Sequence, residues 1–274
     1  DIGYSMVEVG SYFGDKVLDM APDKLKAMTD KFGLKITSAH LNHLYEAPAT
    51  EEVAPTEEVA PTEEVVQEDT KDVAQESTGD NTKEGAEVIA QKEEKSDPND
   101  EWWREALDIH KELGCKYIVM SRLPDYPTEE VVAEYATYFN RIGELTAERG
   151  MQFCYHPRQQ ELKMEDGKSI FDTIVANTDP EKVHFEIDTY EAAEAGVDVN
   201  ELLKRLTKRV TLLHIHDYGI IGESEKIDFE KIIAEGIRTG VKDIFVEVRN
   251  FSLPPMNCIE RSIYNVESLP SICY

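Results

Sequence analysis

Four side chains that could hold a metal ion stand at the ends of four short apolar segments in the second half of the chain. The segments are MQFCYH, VHFEID, VTLLHIHD and DIFVEVR, and they carry His156, Asp188, His214 and Glu247. These residues follow one another at intervals of 32, 26 and 33 positions. Mixed imidazole and carboxylate donors suit Mn²⁺, Mg²⁺, Co²⁺ or Zn²⁺. We therefore predict that the four side chains converge on one divalent cation.

A divalent cation beside a carboxylate is suited to removing a proton from the carbon next to a carbonyl group. A cation with open coordination positions can chelate adjacent carbonyl and hydroxyl oxygens, which acidifies the proton between them. A carboxylate then takes that proton, and an enediolate forms. Glu247 is the best placed carboxylate for the role of this base.

The elements that must position these residues alternate between strands and helices. Short apolar segments, each followed by a helical pattern, are typical of buried parallel strands. We predict strands at 2–9, 34–40, 115–120, 151–156, 183–188, 210–216 and 243–248. Because a TIM barrel has eight strands, this α/β pattern predicts a TIM (β/α) barrel that lacks its first strand–helix unit. The two open edges of such a sheet would favour homo-oligomers.

Two polar residues end the first two predicted strands. Glu8 closes the strand at 2–9, and His40 closes the strand at 34–40. A (β/α) barrel builds its active site from residues at the C-terminal ends of its strands. We therefore predict that both side chains contact the substrate.

Residues 46–100 interrupt the alternation of strands and helices. The hexapeptide TEEVAP is repeated there, no aromatic residue occurs, and 18 acidic residues accompany 4 basic ones. Such low-complexity sequence cannot bury enough apolar surface to order itself. We predict a disordered acidic insertion at 46–100 between two parts of the barrel, at 1–45 and 101–274.

The overall charge limits the classes of partner. The formal net charge is −27, and the low-complexity segment carries −14 of it. Phosphate groups would be repelled, which argues against nucleic acid and anionic membranes as partners. No apolar run reaches the ~18 residues of a transmembrane helix. The sequence leaves the compartment open between cytoplasm and periplasm, because a leader could already have been removed.

Several motifs, taken in order, resemble the sugar phosphate isomerase/epimerase family. They are GYSMVEVGSYFG, KFGLKITSAH, FCYHP, NTDPEKVHFEIDTYEAAEAGVD, LLHIHD and FVEV. The resemblance implies a xylose isomerase-like TIM barrel, a role in carbohydrate metabolism and a small-molecule sugar as substrate. Members of the family begin with one more strand and helix before the first motif, which agrees with the missing unit.

The resemblance also implies a barrel metal held at the ends of strands five to eight. Asp188 in FEIDTY matches the family's Asp, and His214 in LLHIHD matches the His of its HLKD motif. Glu247 in FVEV matches the last carboxylate. The fourth ligand stays open between His156 and Glu161, both in the segment YHPRQQE.

Two positions depart from the family's pattern. Many members show YHNHxxE where this chain has YHPRQQE, so Arg158, which cannot ligate a metal, replaces the second His. His216 stands where the family has the Lys of HLKD. Both residues are predicted to contact the substrate. Epimerases of the superfamily use a second carboxylate on the opposite face of the sugar, a role that Glu161 would fill here.

The sequence thus predicts a metal-dependent isomerase or epimerase of a sugar or keto-sugar, phosphorylated or not. A lyase or dehydratase of a keto-polyol is the first alternative. A non-catalytic sugar-binding barrel is the second. The endonuclease IV branch of the superfamily is disfavoured, because its site needs more His ligands and a basic surface that faces DNA.

Overall fold

The computed structural model describes residues 2–47 and 97–272 of the chain. The strands of the described residues are Met6–Val9 (β1), Tyr12–Phe13 (β2), Lys16–Val17 (β3), Lys35–His40 (β4), Tyr117–Met120 (β5), Gln152–Tyr155 (β6), Val183–Asp188 (β7), Val210–His216 (β8) and Asp243–Glu247 (β9). Seven of them form a parallel sheet that curves into a nearly closed barrel, in the order β1-β4-β5-β6-β7-β8-β9.

Helices connect the strands of the barrel and cover its outside. Their bounds are Pro22–Lys31 (α1), Pro98–Leu113 (α2), Glu129–Ala147 (α3), Gln159–Leu162 (α4), Ile170–Asn177 (α5), Thr189–Glu194 (α6), Val199–Arg205 (α7), Phe229–Thr239 (α8) and Pro255–Glu267 (α9). Within the described residues, no helix is long and apolar enough to cross a membrane.

The predicted fold class is confirmed, because all seven predicted strands occur and pair in parallel. Strands β1 and β9 are the edges of the sheet in the described part of the chain. The Tyr4 hydroxyl donates to the carbonyl oxygen of Ile259 at 2.9 Å, so helix α9 lies against the residues that precede β1. The self-association expected from these edges stays a prediction.

Helix α2 shows how local sequence fixes an element of the barrel. The Asp97 carboxylate accepts a hydrogen bond from the backbone N–H of Asn99 at 2.9 Å, which caps the start of the helix. Gly114 ends it with φ of 104°, a conformation that favours glycine. Trp103 and Leu107, four positions apart and both buried, face the core.

Four short elements of the described chain were absent from the sequence prediction. Strands β2 and β3 form a hairpin of two-residue strands, and helices α4 and α6 have four and six residues. Each is too short to show a period of hydrophobic residues. Helix α6 matters for the site, because it starts directly from Asp188 at the end of β7.

The predicted insertion at 46–100 lies mostly outside the described residues. Its two flanks are joined: the backbone N–H of Glu46 donates to Asn99 Oδ1 at 3.0 Å, and Asn99 Nδ2 donates to the Glu46 carbonyl at 2.9 Å. Two hydrogen bonds therefore join Glu46 to the first turn of helix α2, and neither of them involves a residue between 48 and 96.

We expect residues 48–96 to be dispensable for the barrel. Replacing them by a short Gly/Ser linker should change the Tm by less than ~4 °C, because the cost of closing a loop depends weakly on its length. Thermal unfolding followed by circular dichroism measures this. Asn99→Ala, which removes the joining hydrogen bonds, is the control. It should lower the Tm both in the natural chain and in the chain that carries the Gly/Ser linker. A fall of more than ~10 °C on replacement would show that the segment packs on the barrel.

Gly143 marks a close approach between helix α3 and the chain entering β7. A Cβ atom at this position would lie 2.5 Å from the backbone oxygen of Lys182, which cannot move away as a flexible side chain can. We expect Gly143→Ala to cost about 1–3 kcal/mol of stability. Gly10→Ala is the matched control, since its Cβ meets nothing within 4 Å. Equal Tm values for the two variants would contradict this packing.

Candidate metal centre

The carboxyl ends of strands β6 to β9 bring the predicted ligands to one region of the barrel. His156 directly follows β6, Asp188 and Glu247 end β7 and β9, and His214 lies on β8. The register of β7 and β8 places Asp188 opposite His214. The register of β8 and β9 places His216 opposite Glu247. Parallel pairing therefore aligns the residues that the sequence places at strand ends.

Three of the four predicted ligands form one buried group of donor atoms. His156, Asp188 and His214 each offer an atom within 4.8 Å of the others. His156 Nε2 and His214 Nδ1 each lie 3.9 Å from Asp188 Oδ2. Glu247 joins this group through His214, whose Nδ1 is 3.1 Å from Glu247 Oε2. The four side chains predicted to converge are thus neighbours, and their role as ligands stays a prediction.

His216 lies among the same carboxylates. Its Nδ1 is 2.9 Å from Asp188 Oδ2 and 3.9 Å from Glu247 Oε2, and its side chain is buried. The ring also packs against Tyr190, with centroids 4.7 Å apart. Asp188, His216 and Glu247 form a second group of donor atoms. A substrate contact, as predicted from the sequence, is one role for this imidazole, and orienting the Asp188 carboxylate is another.

The protonation states near Asp188 suit a cation. Burial lowers the pKa of His156 to about 3, aided by the charges of His214 and His40, so this imidazole is neutral. Its Nδ1 is buried without a hydrogen-bond partner among the described residues. Burial opposes ionisation of Asp188, but hydrogen bonding and charge from His216 hold the pKa of Asp188 below its usual range. A neutral His156 and an ionised Asp188 can both donate to a divalent ion. Burial opposes the charge of His214, but the carboxylates of Glu186, Glu247 and Glu8 hold the pKa of His214 well above its usual value, so His214 would release a proton on binding a cation.

Glu247 is ionised for similar reasons. Burial opposes its charge, but hydrogen bonds from His214 and Arg249 more than offset this and hold the pKa of Glu247 well below its usual range. Arg249 Nε donates to Glu247 Oε1 at 2.6 Å. Glu247 therefore has one carboxylate oxygen toward His214 and the other toward Arg249.

Glu8 and His40, the predicted substrate contacts, lie deeper in the barrel than their position at strand ends suggests. Glu8 Oε1 is 2.7 Å from His214 Nε2 and 2.9 Å from His40 Nε2. Both residues also face Glu186, which the sequence prediction missed. Its place on β7, two residues before Asp188, was a usable signal, because alternate residues of a strand share one face. Contact of Glu8 and His40 with a substrate stays a prediction.

Glu161 and Arg158 lie apart from these groups of donor atoms. Both line a cavity of about 210 Å³ together with Asn42, Ser121 and Arg122. The Glu161 carboxylate accepts the backbone N–H of Arg158 and is buried. Burial raises the pKa of Glu161 to about 7. In the described part of the chain, no group of three donor atoms includes Glu161, so His156 is the better placed of the two candidates for the fourth ligand.

A second cavity lies away from this chemistry. It has a volume of about 390 Å³ and is lined by residues of α5 and α7, such as Phe171 and Arg205, and by neighbouring side chains such as Leu162. None of the predicted site residues lines it. The chemistry at the strand ends therefore locates the candidate site better than cavity size does.

The family of the chain follows from comparison with known proteins. A family model described as xylose isomerase-like TIM barrel matches residues 1–254. The chain belongs to this family, which confirms the resemblance found in the sequence. The inosose dehydratase of Geobacillus kaustophilus (strain HTA426) is 27% identical over 157 residues, which cover 50% of this chain and 49% of that protein. The chain thus spans about half the length of the curated relatives it matches.

Solved structures agree with this family. A sugar phosphate isomerase/epimerase from Parabacteroides distasonis ATCC 8503 has a TM-score of 0.74 and 26% identity, covering 99% of this chain and 86% of that one. A structure described as IOLI protein with a binding zinc atom has a TM-score of 0.60 and 12% identity, covering 99% and 90%. At that identity the second likeness shows the fold alone. The fold is that of sugar isomerases and epimerases.

Proposed function

We propose that this protein is a divalent-metal-dependent isomerase or epimerase of a sugar or keto-sugar and works through an enediolate. The observation that carries the proposal is the placement of an ionised Glu247 next to the group formed by His156, Asp188 and His214. A zinc atom bound in a protein of the same fold supports the metal. Mn²⁺, Mg²⁺, Co²⁺ and Zn²⁺ all suit these donors.

His156, Asp188, His214 and Glu247 would hold the cation. When bound, the cation would act as a Lewis acid that acidifies the sugar proton between a carbonyl and a hydroxyl group. Glu247 takes that proton as general base. Its low pKa makes it a weak base that is always ionised, so it relies on a sugar proton that is already acidified.

The neighbours of these residues fix their geometry. His216 holds one oxygen of Asp188 at 2.9 Å, and Arg249 holds one oxygen of Glu247 at 2.6 Å. Partners of this kind orient ligands and bases, and their loss typically costs ~10–100-fold in metal affinity or activity. Both side chains are therefore positioning residues in this proposal.

Glu161 is the candidate for the second base of an epimerase. An epimerase must return a proton to the opposite face of the enediolate from a different group. A pKa of about 7 lets Glu161 donate and accept protons near neutral pH. Arg158 and Arg122 line the same cavity and would bind anionic or hydroxyl groups of the sugar.

Dehydration is the second candidate reaction, and the similarity to inosose dehydratases favours it. The same abstraction by Glu247 begins both reactions. In a dehydratase the resulting enediolate expels the hydroxyl group on the next carbon, and an acid such as Glu161 protonates the departing oxygen. Isomerisation and dehydration therefore share the first step and differ in the fate of the enediolate.

One experiment tests the shared step and separates the two outcomes. The purified chain is incubated in D₂O with Mn²⁺ and a panel of ketohexoses, ketose phosphates and inososes, and the proton next to the carbonyl is followed by NMR. Exchange without loss of mass supports isomerisation or epimerisation. A product lighter by one water supports dehydration. Failure of every compound to exchange its proton would contradict both reactions.

A further inference from the structure

A closed ring of alternating carboxylates and imidazoles lies inside the barrel beneath Asp188. Glu8 Oε1 is 2.9 Å from His40 Nε2 and 2.7 Å from His214 Nε2. Glu186 completes the ring, with Oε2 3.2 Å from His40 Nε2 and Oε1 3.3 Å from His214 Nε2. Glu186 precedes Asp188 by two residues on β7, which places it about 7 Å deeper along the strand. All four donor atoms lie within 4.8 Å of one another.

Only part of this ring is hydrogen-bonded: His214 Nε2 and Glu8 Oε1 form a hydrogen bond at 2.7 Å, whereas Glu186 forms none among the described residues. Glu186 is fully buried, and neither of its carboxylate oxygens has a hydrogen-bond partner among the described residues. The Nε2 atom of His40 is also buried without one. These atoms approach each other at ion-pair distances but off the line that a hydrogen bond requires. Burying a carboxylate without hydrogen-bond partners costs free energy of folding. A cation between the Glu186 oxygens and His40 Nε2 would give all of these atoms a partner.

The charge of the ring also suits a divalent cation. Glu8 and Glu186 carry two negative charges when ionised, and His40 is neutral when its Nε2 lone pair acts as a donor. A neutral His214 has a single lone pair and can serve one cation, so with both sites filled it would lose its second ring proton and bridge the two cations as an imidazolate. The two carboxylates balance the charge of one divalent cation. Two carboxylates and two imidazoles are donors that Zn²⁺, Mn²⁺ and Co²⁺ accept in proteins.

We propose that Glu8, His40, Glu186 and His214 form a second divalent-cation site, distinct from the site at Asp188 and Glu247. His214 connects the two sites. Its Nδ1 faces Asp188 and Glu247, and its Nε2 faces Glu8 and Glu186. The other three residues of the ring belong to the second site alone. The proposal therefore does not depend on the proposed reaction.

This assignment changes the role expected for two residues. Glu8 and His40 become ligands of the second cation rather than contacts of the substrate. His40 Nδ1 lies 3.3 Å from the Ser121 hydroxyl, which lines the cavity that holds Arg158 and Glu161. The second cation would thus sit behind both the first site and this cavity and fix the side chains between them.

The test is the number of zinc ions that the full chain retains. The protein is stripped with a chelator, incubated with Zn²⁺ and passed through gel filtration, which removes weakly bound zinc from the acidic surface. Metal and protein are then quantified. We expect two equivalents for the unchanged chain and one for Glu186→Gln and for His40→Gln. His184→Gln is the matched control and should retain two, because His184 lies on the same strand as Glu186 but contacts Thr211.

Comparison with Asp188→Asn separates this proposal from the proposed function. Loss of one equivalent in Glu186→Gln and of a different one in Asp188→Asn supports two sites. A single equivalent in the unchanged chain, lost in Asp188→Asn and kept in Glu186→Gln, would overturn the second site and leave the first. Circular dichroism of each stripped variant verifies its fold. If Glu186→Gln fails to fold, His40→Gln replaces it in this comparison, and a single equivalent in the unchanged chain that His40→Gln retains in full would contradict the proposal.

Discussion

Replacing Glu247 by glutamine should lower the rate of proton exchange from a reactive sugar ~10²–10⁴-fold, the typical contribution of a general base. Glutamine keeps an oxygen that can face the cation, but it cannot accept a proton at neutral pH. His156, Asp188 and His214 remain unchanged, so most of the bound metal should be retained. NMR in D₂O measures exchange, and elemental analysis measures metal in the same sample.

Glu191→Gln is the matched control for this prediction. Glu191 is a second carboxylate near Arg249, at 3.7 Å, but it has no ion pair with His214 among the described residues. Its replacement should leave the exchange rate close to that of the unchanged chain. If Glu247→Gln exchanged the proton at the original rate, the base would lie elsewhere, and Glu161 would become the leading candidate.

Replacing Asp188 by asparagine should remove the cation of the first site and, with it, the activity. Asp188 is the one residue that belongs to both groups of donor atoms at the strand ends. Because loss of an orienting partner alone typically costs ~10–100-fold in metal affinity, loss of a direct carboxylate ligand should cost more. An excess of Mn²⁺ should partly restore the activity of Asp188→Asn, but it should not restore the activity of Glu247→Gln.

The fold should survive this substitution for a structural reason. Asp188 Oδ1 accepts the backbone N–H groups of Tyr190 and Glu191 at 2.7 and 3.0 Å and so caps helix α6. Asparagine caps helices about as well as aspartate. Asp198→Asn is the matched control, because Asp198 caps α7 in the same way and is exposed. Equal metal affinity in Asp188→Asn and Asp198→Asn would contradict a ligand role for Asp188.

The sequence predicted the barrel and the strand-end residues because both depend on a regular pattern. Strands β7 and β8 are mainly apolar segments that contain a few charged or imidazole side chains. Their predicted bounds match the structure. Asp188 and His214 stand directly opposite each other, as residues at the ends of paired parallel strands should. The family motifs then matched Asp188, His214 and Glu247 to three ligands of the family's metal.

The sequence analysis did not predict the ring beneath Asp188, because it considered residues at the ends of strands and Glu186 lies inside one. Glu186 is a charged residue in the middle of a buried strand, which is rare unless the charge is paired. That signal was present in VHFEID, since Glu186 and Asp188 share one face. The contacts of Glu8 and His40 with His214 could not be predicted, because they depend on how far the barrel closes between its edge strands β1 and β9.

The metal content of the purified chain tests the central claim most directly. The protein is soaked separately with Mn²⁺ and Zn²⁺, freed of excess ion by gel filtration and compared with Asp188→Asn by elemental analysis. If the first site binds a cation, the unchanged chain should retain at least one equivalent of metal that Asp188→Asn does not retain. Less than a tenth of an equivalent in the unchanged chain after both soaks would contradict a metal-dependent enzyme.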